Sequence, residues 1–465
     1  MSLNKYVDRI ASTVKGNNEK VGDHIDLFRQ VIGAVLDDAQ LKKNFDGAAI
    51  RYAAMCGEIT NRVMAVLGGS EFVDLLAIGD VNMPAFAVEV ADQIVNDSYR
   101  YHDQLSKDFG RGYDLTSQGA EAARSSFFDY ADKYYGFSAV HGLKEKMVEN
   151  STIVGGGMRG LDDIATAMIR NADKLGLKNR FISPDNSFGT WHSIVNLRTH
   201  GGHSVHTLKT GQDNFLHLSA TNIDKFYDGV ETPMETVQDV WCITPVGNPS
   251  GTFMSGDQLA STCEAIVNRN PNAIILLDST YVRLLSPGRS KALVEGVLSN
   301  PSVIDRVVFL DSFSKTHGFC GERIGLYFAA NKEVFDPIQT VNMTLSAGNG
   351  RYKDALVMAI CNSSEERELI LQEVHDFWMK ERKGLFDKLI TSGSFGHLFD
   401  EQQLHVVDEQ MDEPGLYLFL KLKEGVTGLD VLKETHCLGV ETKMGDGNYI
   451  RFAVGKISEP RFSQK

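Results

Sequence analysis

Lys315 closes a stretch in which an apolar run, Val307-Val308-Phe309-Leu310, passes into a small polar turn, Asp311-Ser312-Phe313-Ser314, and Arg323 follows eight residues after the lysine. At the end of a buried strand, desolvation and neighbouring cations favour the neutral amine. Such a lysine is a nucleophile suited to Schiff-base chemistry. A solvated loop lysine has the same local sequence, so the reading rests on what the rest of the chain supplies.

Asp278 stands just beyond the apolar Leu276-Leu277, with Thr280 and Tyr281 after it. A carboxylate buried there is costly without a cation, and a protonated ring nitrogen would be one. Val246-Gly247-Asn248-Pro249-Ser250-Gly251 follows another apolar run. Its composition is that of a turn, yet an asparagine held by a rigid proline could also donate its amide to a ligand oxygen. Gly155-Gly156-Gly157-Met158-Arg159-Gly160 joins a strand to a helix, where close backbone approach and the helix dipole make an anion site. Gly155, Gly157 and Gly160 also satisfy G-x-G-x-x-G, with Asp185 in the place of a ribose-binding acid. A phosphate monoester fits the same backbone. Phe188 or Trp191 could stack on a flat ring, or either could be an ordinary core aromatic. His192, His200, His203, His206 and His217 fall in one region. Their spacing does not suit a metal, because residues at i and i+3 face opposite ways on a strand. No metal site is expected.

The elements that would position these groups alternate. Ser151–Val154, Arg180–Ile182, Val240–Thr244, Ala273–Leu277, Val307–Leu310 and Leu326–Ala330 read as strands separated by helices, the pattern of parallel strands with crossover helices. Most are continuous apolar runs, as expected for strands buried on both faces. Before them, Ile25–Leu36 and Ala48–Cys56 read as amphipathic helices, Leu75–Asp80 as a short strand, and a helix containing Arg124 lies between Tyr113 and Tyr135. After them, a long charged helix begins near Arg351, followed by strands Leu416–Leu422 and Asn448–Val454.

Composition bounds the function. The 465 residues are 42% hydrophobic and 23% charged, enough for two or three cores. A net charge of -14 argues against a binder of nucleic acid or of an anionic membrane, since both need a basic face. Six scattered cysteines with no C-x-x-C pair suit a reducing compartment. With no basic-then-apolar signal at the N-terminus and no spanning apolar run, the expected location is cytoplasmic.

Together these residues resemble the class I/II aminotransferase family of pyridoxal-phosphate (PLP) enzymes, fold type I. The likeness runs from about Leu75 to Val454, with Asn248-Pro-Ser-Gly, Asp278 with Tyr281, Ser312-Phe-Ser-Lys315, Arg323 and Arg451 in the family's order. It implies an α/β PLP-dependent transferase fold. A large, mostly parallel-sheet domain (76–345) would be joined by a smaller α+β domain (346–465), with an N-terminal helical extension (1–75) packed on the small domain. By the resemblance, Lys315 carries the cofactor as its internal aldimine and shuttles the proton, while Asp278 pairs with the ring nitrogen. Asn248 and Tyr281 match donors to the phenolic oxygen. Gly156, Gly157, Met158, Ser312 and Arg323 match the phosphate cup, Phe188 the stacking aromatic, and Tyr113 the tyrosine that reaches a partner subunit's phosphate. Arg451, Gly79 and Asn248 would bind substrate, with Arg451 clamping its α-carboxylate.

The implied function is an aminotransferase moving the amino group of an α-amino acid to a 2-oxo acid, in a homodimer with shared active sites. A PLP-dependent lyase, decarboxylase or cyclase on the same scaffold is the nearest alternative, and a nicotinamide dehydrogenase built on Gly155–Gly160 is another. A PLP-sensing regulator would need a basic module, and the first 75 residues carry nine Lys/Arg against ten Asp/Glu. The chain departs from the family in its long helical N-terminus and in ending about a dozen residues after Arg451. It also lacks a second arginine in the context expected for a dicarboxylate side chain.

Overall fold

The structure, a computed structural model, describes residues 3–16, 24–36, 38–39, 59–60, 62–64, 66, 73–75, 81–109, 116–199, 202–210, 216–230, 236–346, 350–400, 410–444 and 447–463. Among these residues twelve strands form three sheets. Val73–Asp74 (β1) pairs in parallel with Cys437–Leu438 (β10). Val440–Met444 (β11), Gly447–Ala453 (β12) and Tyr417–Lys421 (β9) form an antiparallel sheet in the order β11-β12-β9. The third sheet contains Ser151–Val154 (β2), Lys178–Pro184 (β3), Ser204–Leu208 (β4), Val237–Ile243 (β5), Ile274–Asp278 (β6), Val307–Ser312 (β7) and Gly325–Ala329 (β8). Its order is β2-β8-β7-β6-β5-β3-β4.

The continuous apolar runs are continuous because helices cover both faces of this sheet. Along β7, Val307 and Phe309 join one core cluster and Val308 and Leu310 the other, the two-residue alternation of a strand. Phe309 stacks on Phe328 of β8 with ring centroids 5.1 Å apart. At the other end of the chain, helices Leu3–Gly16 and His24–Leu36 bury Tyr6, Ile10, Val31 and Val35 together with Leu432 and Leu438. No described helix is long and apolar enough to cross a membrane.

Three details differ from the sequence reading. β8 runs antiparallel to both β7 and β2. The residues between Ser312 and Gly325 hold the lysine turn rather than a crossover helix, and an antiparallel return needs none. The charged segment after Arg351 is two helices, Arg351–Cys361 and Glu365–Phe386, with Ser364 capping the second by accepting from the Arg367 amide at 3.4 Å. β4 and β11 add edge strands whose half-exposed polar residues gave no apolar run to read. The proposed Ala48–Cys56 helix lies outside the described residues, as does most of the Leu75–Asp80 strand.

Candidate active site

β5, β6 and β7 are parallel neighbours, so the segments leaving their C-terminal ends emerge side by side, where open α/β sheets hold ligands. Asn248 follows β5, Asp278 ends β6, and Ser312 ends β7 and caps the short helix Phe313–Thr316 that carries Lys315. Ser312 Oγ accepts from the Ser314 amide at 3.1 Å and donates to the Ile324 carbonyl at 2.9 Å. The half-buried Lys315 has Nζ 3.9 Å from Cys320 Sγ.

Beneath the turn lies a buried ion pair. Arg283 Nε and Nη2 donate to Asp311 at 2.8 and 3.0 Å, and Tyr135 donates to the same carboxylate at 2.8 Å. The Arg283 guanidinium sits 4.6 Å from the centre of the Phe313 ring. Asp311, which the sequence placed in a polar turn, is a strand residue with no exposed surface.

Asp278 is buried, and Thr280 donates to it twice, from Oγ1 at 2.7 Å and from the amide at 3.3 Å. Burial raises its pKa; the Thr280 hydrogen bonds oppose the rise and the charge of Asp311 adds to it. No cation among the described residues forms an ion pair with it. Next along the loop, Tyr281 OH accepts from the Asn248 amide at 2.9 Å and lies 3.2 Å from Tyr417 OH. Asn248 Oδ1 accepts from Arg451 Nη1 at 2.9 Å, and the Arg451 guanidinium lies 4.7 Å over the Tyr417 ring. Asn248, Tyr281, Tyr417 and Arg451 therefore close a ring of contacts joining the β5 and β6 loops to β9 and β12.

The glycine-rich turn meets the same loops. Gly156 has φ +84°, a conformation that favours glycine, and a Cβ there would lie 2.9 Å from Arg323 Nη2. A Cβ on Gly157 would lie 3.8 Å from Thr280 Oγ1 and 4.0 Å from Ser312 Cβ. The first amides to bond back inside the helix Gly157–Leu175 are those of Arg159 and Gly160, both to the Gly156 carbonyl. Those of Gly157 and Met158, at the first turn, have no such bond back into the helix, and the Met158 side chain is 46% exposed. Thr280, which the sequence reading gave no role, thus links Asp278 to this turn. Tyr417 was visible only as part of a strand.

Phe188 is half-buried at the start of helix Gly189–Arg198, whereas Trp191 is a core residue packed edge-on against Phe181. Tyr113 and Gly79 lie outside the described residues. Asp185 accepts from the amide and hydroxyl of Thr210 at 3.0 and 2.7 Å, so it staples its own loop. The glycine turn follows an edge strand, not a central one, and the dinucleotide reading loses both its supports. His192, His203, His206 and His217 each hydrogen-bond to neighbours, and among the described residues no group of three metal-binding side chains assembles.

Known proteins share this architecture. A sequence model of the family described as aminotransferase class I and II matches residues 115–411. A histidinol-phosphate aminotransferase of Campylobacter jejuni is 22% identical over 277 residues, covering 58% of this chain and 70% of its own length. The aspartate aminotransferase of Rhizobium meliloti superposes with a TM-score of 0.63 at 14% identity, covering 87% of this chain and 92% of its own. An aromatic aminotransferase from Pyrococcus horikoshii gives 0.62 at 14% identity, covering 84% and 93%.

Proposed function

The chain belongs to the class I and II aminotransferase family, whose members use pyridoxal 5'-phosphate, and from that premise we propose that its amino-group transfer runs at the site around Lys315. The observation that carries the proposal is Asp278: a buried carboxylate with a raised pKa and no cationic partner among the described residues. Such a group is costly unless a cation arrives, and a protonated pyridine nitrogen fits that requirement. The turn at Gly156–Gly157 with Arg323 against it fits a phosphate dianion.

Bound there, PLP supplies an aldehyde that condenses with amines and a ring that accepts the electrons released at Cα. The protein's residues do the rest. Asp278 would hold the ring nitrogen protonated. Tyr281 and the second amide hydrogen of Asn248 would serve the phenolic oxygen, and Phe188 would pack on the ring. Arg451, braced by Asn248 and Tyr417, would take the substrate α-carboxylate in a two-point grip and so orient its Cα bonds. Lys315 Nζ would take the proton from the substrate Cα and hold it for return. Positioned acid–base transfer of this kind contributes roughly 10²–10⁴-fold.

The reading extends to a cytoplasmic homodimer acting on an α-amino acid and a 2-oxo acid. Its support is that large apolar side chains, among them Tyr99, Met158, Met343 and Leu345, are exposed in a single chain. The described cysteines are free thiols. The test is to incubate the PLP-loaded protein with single α-amino acids. Stoichiometric 2-oxo acid and the pyridoxamine form of the cofactor support transamination. Release of carbon dioxide or an eliminated side chain without the pyridoxamine form would assign lyase chemistry to the same residues.

A further inference from the structure

Lys353 occupies the third position of helix Arg351–Cys361, beyond the seven-stranded sheet, yet its Nζ comes within 3.8 Å of where a Cβ on Gly155 would stand. It therefore lies beside the glycine turn. Arg323 lies against the next residue, with Nη2 2.9 Å from a Cβ position on Gly156. The two cations are close enough that the Arg323 charge, after burial, depresses the Lys353 pKa, with Asp354 working the other way.

The carboxylates near this pair also accept from other groups, and Asp354 acts on Lys353 through its charge without forming an ion pair with it. Asp354 accepts from the Ala120 amide at 3.0 Å, and Glu322 accepts from Tyr352 OH at 3.3 Å. Asp163 is held by Arg159 at 2.7 Å and by Asn342 at 3.1 Å. Among the described residues neither Lys353 nor Arg323 forms an ion pair. Two like charges gathered at a helix start, with the first amides of that helix beside them, repel one another unless an anion lies between. A phosphate dianion is the anion this arrangement suits.

We propose that Lys353 is a second cation of the phosphate cup, so that binding the phosphate ties helix Arg351–Cys361 to the Gly155–Gly157 turn. This rests on the reading of that turn as the cofactor's phosphate site. It adds a residue from a different part of the fold, whose ammonium acts as a point charge where Arg323 supplies a planar fork. The position also gives the cofactor a mechanical role, because its phosphate would bridge an element of the sheet and an element outside it.

The experiment compares PLP with pyridoxal, its dephosphorylated form, on the full-length apoprotein. Dissociation constants are read from cofactor absorbance and tryptophan quenching, without turnover. The wild type is expected to prefer PLP strongly. Lys353→Met is expected to weaken PLP by about 10- to 100-fold, the scale of one charge-assisted contact, and to leave pyridoxal binding within about twofold. Lys353→Arg is expected to keep most of the preference. If Lys353→Met binds PLP as the wild type does, or loses PLP and pyridoxal equally, the proposal is overturned. Arg323→Met separates the two claims. If it abolishes the preference while Lys353→Met keeps it, the phosphate site stands and Lys353 has no part in it. A wild type indifferent to the phosphate overturns both.

Discussion

Arg451 Nη1 donates to Asn248 Oδ1 at 2.9 Å, across a gap of more than two hundred residues in sequence. The amide that would serve the cofactor ring thereby orients the guanidinium that would grip the substrate. Arg451→Lys should keep the charge and lose the fork. We expect KM for the amino donor to rise by about 10- to 100-fold, the worth of a charged hydrogen bond, with the absorbance of bound cofactor unchanged. Asn248→Ala should move both, because it removes the brace on Arg451 and the donor to Tyr281. Steady-state kinetics paired with absorption spectra separate the two outcomes.

Asp278 predicts opposite effects in the apo and loaded protein. Its folded pKa is raised above the ordinary carboxylate value, chiefly by burial. An acid of this kind contributes stability at low pH and loses it as pH rises through the folded pKa. At neutral pH, apo Asp278→Asn should therefore melt at or above the wild type. With PLP bound the order should reverse, because the amide cannot pair with a protonated ring. Thermal melts of both proteins, with and without cofactor, give the comparison.

Acid sensitivity should come in part from buried histidines. His217 and His375 are pushed down to about 4, both by burial. Each stays neutral in the fold while the unfolded chain takes up a proton near pH 6.5. The unfolded state then binds more protons between pH 6.5 and 4, so stability falls as pH drops through that window. The slope is about 1.4 kcal/mol per pH unit for each histidine. His375 Nε2 donates to the Thr316 carbonyl, 2.8 Å away, so its proton sits on Nε2. Denaturant titrations of His375→Gln at several pH values should show a shallower slope than the wild type.

The Arg283–Asp311 pair has almost no exposed surface. Arg283→Met should cost about 3–5 kcal/mol, because it strands a buried carboxylate under the lysine turn. Arg283→Met combined with Asp311→Leu should recover part of that loss. Chemical denaturation at neutral pH reads both.

Much of the site was legible because each part ends a buried strand. Continuous apolar runs ending in Asp278, in Ser312 through Lys315 and before Asn248 announce strands and the turns that carry chemistry. What the sequence hid depends on distant partners. Asp311 looks like turn chemistry until Arg283 is found against it, and Thr280 gains meaning only beside Gly157. Tyr417 reads as one more strand aromatic until Arg451 lies over its ring. Polar edge strands such as Ser204–Leu208 lack the apolar run that marks the central ones. The reversed direction of Gly325–Ala329 follows from the length and content of the connection, which hydrophobicity does not encode.

In this mechanism the amine that reacts with the cofactor is Lys315. Borohydride reduction of the PLP-loaded protein, followed by proteolysis and mass spectrometry, tests it most directly. A single pyridoxyl adduct is expected on the peptide carrying Lys315, with no adduct in Lys315→Ala. A stoichiometric adduct on any other lysine, or a wild-type yellow chromophore that survives in Lys315→Ala, would contradict it.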